Sequence, residues 1–147
     1  MSKPLTKSIK FVQKYMKIDD LILKDLAEFG VMSIKTKFAN ADYQRSPQIN
    51  VYYKISGHEL TLYADGEDVA FIEFGAGVRF GNGYSGPKPS GIVPIGTYGK
   101  GYGSNPEGWY YRENGTLTHT YGNPPAEAMY GTLKEIAERV LNYGRLL

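Results

Sequence analysis

The chain contains no cysteine. That excludes disulfides, thiolate metal ligands and cysteine nucleophiles together. Histidine is scarce, with only His58 and His119, and no third ligand stands at zinc-site spacing from either. No apolar run approaches the roughly 20 residues that a membrane helix needs. Met1-Ser2-Lys3-Pro4 is not followed by the apolar segment of a signal peptide, so the expectation is a soluble product made in the cytoplasm. Charge of one sign is not in large excess either. Seventeen basic residues face fifteen acidic ones, and a net charge of +2 is too small to argue for nucleic-acid binding by itself.

What remains is 147 residues with 41% apolar and 22% charged side chains, the make-up of an ordinary globular protein. This length predicts one domain over 1–147, large enough to bury a core. Glycine and tyrosine stand out, at 18 and 13 copies, and eleven of the glycines lie between Gly75 and Gly108.

The N-terminal part, 1–38, reads as helical. Leu5, Ile9, Val12 and Met16 recur at spacings of four, three and four. A second helix starts at Asp19, a suitable N-cap, and carries the stripe Leu23, Leu26, Ala27, Gly30, Ile34 and Phe38. Gly30 costs roughly 1 kcal/mol of helix propensity, which a close crossing would justify.

Sheet is expected over 49–74 and 109–121. Ile49, Val51, Tyr53 and Ile55 alternate with polar positions, a turn follows at Ser56-Gly57, and Leu60 and Leu62 alternate again, which predicts a hairpin. Val69–Phe74 is apolar on both faces except for Glu73 and reads as a central strand. Asn114-Gly115 between two β-prone runs is a strong hairpin signal. A C-terminal helix is expected over 124–143, with Asn123 as N-cap, Pro124 and Pro125 in its first turn and Gly144 past its end. Its apolar face is read as Met129, Leu133, Ile136, Ala137, Val140 and Leu141. The fold class is therefore α+β: helices packed on a mostly antiparallel sheet of about five strands, interrupted by a long glycine-rich loop or arm at 75–108.

Few motifs carry chemistry. Gly81-Asn82-Gly83-Tyr84-Ser85-Gly86 matches G-x-G-x-x-G, but Pro87-Lys88-Pro89 follows where a phosphate site needs a helix to open. Glu73 sits among Phe71, Ile72 and Phe74, so its carboxylate needs a partner, for which Arg79 and Arg112 are the candidates. Tyr84, Tyr98 and Tyr102 in the loop suit contact with another protein. Trp109-Tyr110-Tyr111 suits either a sheet face or a stacking platform for sugars. Lys3, Lys7, Lys10, Lys14 and Lys17 form one side of the first predicted helix, either a solvated face or a face toward DNA. No catalytic residue, metal or cofactor is assigned.

A set of segments in order resembles one family. Phe38-Ala39-Asn40-Ala41-Asp42-Tyr43 is followed by Ala70-Phe71-Ile72-Glu73-Phe74-Gly75-Ala76-Gly77, which is similar to a hydrophobic-Glu-Phe-Gly-x-Gly signature. Gly99-Lys100-Gly101, Gly108-Trp109-Tyr110-Tyr111, His119-Thr120-Tyr121-Gly122 and Pro125 through Met129-Tyr130 continue in the same order. The set resembles the gp-ten-like neck or tail-completion proteins of tailed phages, also called head–tail connector or minor capsid proteins. The resemblance spans roughly residues 19–140.

It implies a structural virion protein with no enzymatic activity. Such a subunit forms a ring with copies of itself at the head–tail junction, beside other neck, portal-adaptor and tail-tube or tail-terminator proteins, with packaged DNA nearby and no membrane. On this reading Glu73, Arg79, Tyr84, Tyr98, Lys100 and Tyr102 are expected at subunit or partner contacts, and Lys3, Lys7, Lys10 and Lys14 toward DNA. The competing expectation is a polysaccharide-binding module, or a hydrolase, using the aromatic face and Glu73.

Overall fold

The structure is a computed structural model that describes residues 7–12, 20–43, 48–80, 83–87 and 102–145. The order of elements is β1 (Lys7–Val12), α1 (Asp20–Ala39), β2 (Asn50–Ser56), β3 (Glu59–Asp65), α2 (Val69–Phe74), β4 (Trp109–Glu113), β5 (Thr116–Thr120) and α3 (Ala128–Arg145). Short 3₁₀ turns occur at Val78–Phe80 and Tyr102–Ser104. The chain divides into two compact units. One comprises 4–40, 47–69 and 128–147; the other is built chiefly from 70–127.

In the first unit the helical stripe is realised residue for residue. Leu23, Leu26, Ala27, Gly30, Ile34 and Phe38 are the buried positions of α1. Gly30 has a packing reason. A Cβ there would stand 2.7 Å from Leu62 Cδ1 and 3.1 Å from Ile136 Cδ1, so the close approach is to side chains of β3 and α3. The β2–β3 hairpin forms around Gly57 and His58, with Ser56 opposite Glu59 and Val51 opposite Ala64. Leu60, Leu62 and Ala64 face the core, and Ile55 at the far end of β2 is exposed. In α3, Met129, Ile136 and Val140 are buried as expected, while Leu141 faces solvent.

Three expectations fail here for physical reasons. The first predicted helix is not formed: Lys7–Val12 pairs antiparallel with β3, Ile9 opposite Leu62 and Phe11 opposite Leu60. β3 thereby becomes the centre of a β1-β3-β2 sheet, and filling both of its edges outweighs a helical spacing pattern. The second failure is the single sheet of about five strands. Among the described residues a three-stranded sheet and a two-stranded β4–β5 sheet are present instead.

The third concerns Val69–Phe74, which is a short helix and not a central strand. A six-residue apolar run does not distinguish the two. A distant segment decides, because it caps the carbonyls that a helix end leaves free. Asn123 Nδ2 donates to Phe71 O at 2.8 Å, Ala126 N–H to Ile72 O at 2.8 Å and Glu127 N–H to Glu73 O at 3.3 Å. The same contacts explain why α3 begins at Ala128, four residues later than the proline pair suggests: 123–127 is engaged with α2.

In the second unit the Asn114-Gly115 hairpin forms as expected, with φ of 48° and 82° at the two turn residues and Glu113 opposite Thr116. Downstream, Ala76 and Asn123 exchange two backbone hydrogen bonds of 3.0 Å. Gly122 has φ 102°, and a Cβ on it would collide with the carbonyl oxygen of Ala76, so only glycine closes this bridge.

Candidate functional site

The residues singled out from the sequence converge on the 70–127 unit. α2 presents Ala70 and Phe74 to a small apolar cluster that also takes Phe71 and Tyr84. Glu73 lies on this helix and is only 1% exposed. The Tyr84 hydroxyl donates to its Oε1 at 3.3 Å, and the Tyr84 ring packs edge-on against Phe74 with centroids 4.7 Å apart. Neither arginine proposed for Glu73 is placed on it by these contacts. The Arg79 guanidinium lies 3.6 Å above the Tyr121 ring, and Arg112 Nη1 points to Gly115 O at 3.5 Å. Tyr84 is thus a neighbour of the glutamate within its own chain.

Next to Tyr84, Ser85 is bound by a second carboxylate. Its backbone N–H donates to Glu127 Oε1 at 2.6 Å, and its hydroxyl lies 2.8 and 2.9 Å from the two carboxylate oxygens. An N–H satisfied by a carboxylate is not presented to a phosphate, and Gly83–Pro87 is not helical, in keeping with the G-x-G-x-x-G match being a loop. Gly83 sits against Pro125, where a Cβ would stand 3.0 Å from the proline Cδ. At the other end of the glycine-rich stretch, Gly108 N–H donates to Asn105 O at 3.0 Å. The described parts of 75–108, namely 75–80, 83–87 and 102–108, fold onto their own unit, and the rest of the expected arm lies outside the described residues.

The β4–β5 pair carries an exposed ridge. Tyr110 lies opposite His119. His119 meets Tyr110 and Tyr121 edge-to-face at 4.8 and 4.6 Å, and Arg79 covers Tyr121. His119 Nε2 is 2.8 Å from Glu107 O, and because a carbonyl oxygen only accepts, Nε2 is the donor. Tyr110 is 64% exposed. Sequence reasoning missed this ridge as a unit. The signal available was the alternation Tyr110, Arg112, Leu117, His119, which the Asn-Gly turn places on one face.

Other expected positions are not brought together. Tyr98, Lys100, Lys3 and Lys14 lie outside the described residues, as do Lys17 and the side chain of Tyr102, whose backbone enters the 3₁₀ turn. Lys7 and Lys10 belong to β1. The helix expected to carry the lysine stripe is therefore not formed at these two positions.

In the unit of 4–40, 47–69 and 128–147, polar side chains pair with one another. Lys37 Nζ reaches Glu135 Oε1 at 2.7 Å, and Ser33 donates to Glu135 Oε2 at 3.0 Å. The Lys37 hydrogen bond holds the Glu135 carboxyl below its ordinary value, assisted by Ser33 and opposed by partial burial. Tyr52 donates to Asp65 Oδ2 at 2.9 Å, and that hydrogen bond raises the phenol above its usual range. Among the described residues, no group of three His, Asp or Glu side chains could hold a metal ion, and no helix is long and apolar enough to cross a membrane.

No family model, curated protein or solved structure matches the chain.

Proposed function

We propose that this chain is a structural protein of a tailed-phage or prophage virion, a non-enzymatic subunit that forms a ring at the head–tail junction and joins head to tail. One observation supports the reading most. Segments that carry the family resemblance but stand far apart in sequence meet in one unit. Ala76 of the Glu-Phe-Gly-x-Gly segment bridges Asn123, just past His119-Thr120-Tyr121-Gly122, and Gly108 before Trp109 packs against Thr120 and His119. Ala126 and Glu127, within the last resembling stretch, cap α2. Four of the resembling segments, 70–77, 108–111, 119–122 and 125–130, thus contact one another, as they would if those motifs belong to one architecture.

The hydrolase alternative has less support. Glu73 is only 1% exposed and accepts from Tyr84, which does not favour attack on a polymeric substrate. In the ring reading its role is to anchor Tyr84 at the root of the remaining loop. The partners are copies of the chain, then portal-adaptor and tail-tube or tail-terminator proteins, and the place of action is the neck of the particle.

Deleting the gene from an inducible element and imaging the lysate tests this. The expected products are DNA-filled heads and separate tails, restored to joined particles by a plasmid copy. Normal joined, infectious particles without the gene would discard the proposal.

A further inference from the structure

The ridge on β4–β5 is exposed, aromatic and cationic at once. Strand alternation puts Tyr110 and Arg112 on one face of β4, with His119 and Leu117 directly opposite them on β5. Tyr110 is 64% exposed, and Tyr121, which continues the row past His119, is 41% exposed. Both tyrosine rings touch His119, so they stand one side chain apart. Glu113 falls on the opposite face by the same alternation.

The cations beside this row are not neutralised. Among the described residues, neither Arg79 nor Arg112 forms an ion pair with a carboxylate. Glu107 meets the ridge through its backbone carbonyl, which accepts from His119 Nε2. Arg112 makes one long hydrogen bond, 3.5 Å from Nη1 to Gly115 O. Arg79 is exposed, and its guanidinium lies 3.6 Å above the centre of the Tyr121 ring. At that distance the planar group is stacked on the ring. One guanidinium face is used, while its outer face and its N–H edge are left for a ligand.

These groups select the chemistry of the occupant. Arginine only donates, so the ligand must bring acceptors, and two unpaired cations favour anionic ones. Exposed tyrosine rings and a stacked guanidinium favour flat π-systems. An acidic peptide supplies anionic oxygens without a row of planes, and a neutral sugar supplies no charge. A single nucleic-acid strand brings both, with bases that are not already stacked in a duplex.

We infer that this ridge binds single-stranded nucleic acid. Neighbouring bases stack on Tyr110 and on the Tyr121–Arg79 pair, and the Arg79 and Arg112 N–H groups take phosphate oxygens. The pinning of Arg79 on Tyr121 reduces the side-chain freedom that binding would otherwise have to remove.

Fluorescence anisotropy of a labelled single-stranded oligothymidylate, titrated with the full chain at low ionic strength, tests this. Binding that weakens with added salt is expected. Tyr110→Leu should weaken it about tenfold, the loss of one stacked base, while Tyr110→Phe keeps the ring and the affinity. Arg79→Lys keeps the charge but loses the stacked plane, and should also weaken binding several-fold. Arg112→Gln should lower the slope of log affinity against log salt by roughly 0.7. Hydrogen exchange of the β4–β5 amides checks that each variant retains the hairpin. Three outcomes overturn the inference: no binding of the oligothymidylate, unchanged binding by Tyr110→Leu, or competition by polyglutamate, dextran sulfate or a DNA duplex as effective as that of the single strand.

Discussion

The two units of this chain are held together by different physics. The unit containing α1, the β1-β3-β2 sheet and α3 closes by apolar layers: Leu23, Leu26, Ile34, Leu60, Leu62 and Ile136 are all essentially without solvent contact. Among the described residues the 70–127 unit buries fewer apolar side chains, namely Ala70, Ile72, Phe74 and Ala76, with Phe71 and Tyr84 packed on Ala70 and Phe74. It relies on backbone and side-chain hydrogen bonds between 71–76 and 123–127, and on glycines that let carbonyls approach. Apolar packing is graded and tolerant, because lost volume costs in proportion. Backbone closures are all-or-none, because a buried unpaired group or a Cβ inside a carbonyl has no intermediate state.

The sharpest way to break the comparison is Gly122→Ala. The new Cβ meets the Ala76 carbonyl at a φ that side chains avoid, and roughly 3–5 kcal/mol of stability should be lost from the 70–127 unit. Hydrogen exchange of the Ala76 and Asn123 amides reads it; protection like that of wild type would mean that the bridge is dispensable. Leu62→Ala comes next, at about 3 kcal/mol by denaturant titration, and its exchange signature should fall on α1, β3 and α3 amides. Asn123→Ala removes the donor to the Phe71 carbonyl and should cost about 2 kcal/mol, with the loss concentrated at α2. A loss in Leu62→Ala spread evenly over both units would erase the distinction.

The smallest effect is electrostatic. The folded-state carboxyl of Glu135 is held below its ordinary value, so its contribution is present at neutral pH. It is lost as pH falls from the ordinary carboxylate range through the lowered folded value. Because the Lys37–Glu135 pair is substantially exposed, the contribution should be under about 1 kcal/mol. Thermal melts of wild type and Glu135→Gln should differ slightly at pH 7 and coincide in acid. A difference that grows on acidification would have the wrong sign.

The same contrast explains what was legible in the sequence. The α1 stripe and the two hairpin turns rest on periodicity and on residues such as Asn114-Gly115, whose local preferences and final contacts agree. The α2 helix, the start of α3 and the bond between Tyr84 and Glu73 rest on partners roughly ten to fifty residues away in sequence. No window of local pattern contains both sides of such a bond. β1 failed for a related reason: Ser8-Ile9-Lys10-Phe11 alternates as readily as it repeats at helical spacing, and the free edge of β3 breaks the tie. For the candidate site, the sequence named Glu73, Tyr84 and Arg79 but not their pairing, because Arg79 has the Tyr121 ring to cover.

The interleaving of the units has a consequence for synthesis. The 70–127 unit is an almost uninterrupted insertion between β3 and α3. A ribosome adding about 5–20 residues per second needs on the order of 3–12 s to translate that insertion. During that interval α1 and β3 have emerged, while Ile136, whose side chain lies against Gly30 in the finished fold, has not been made. The earliest-made half of the protein must therefore wait for the latest-made helix before its apolar layer is sealed.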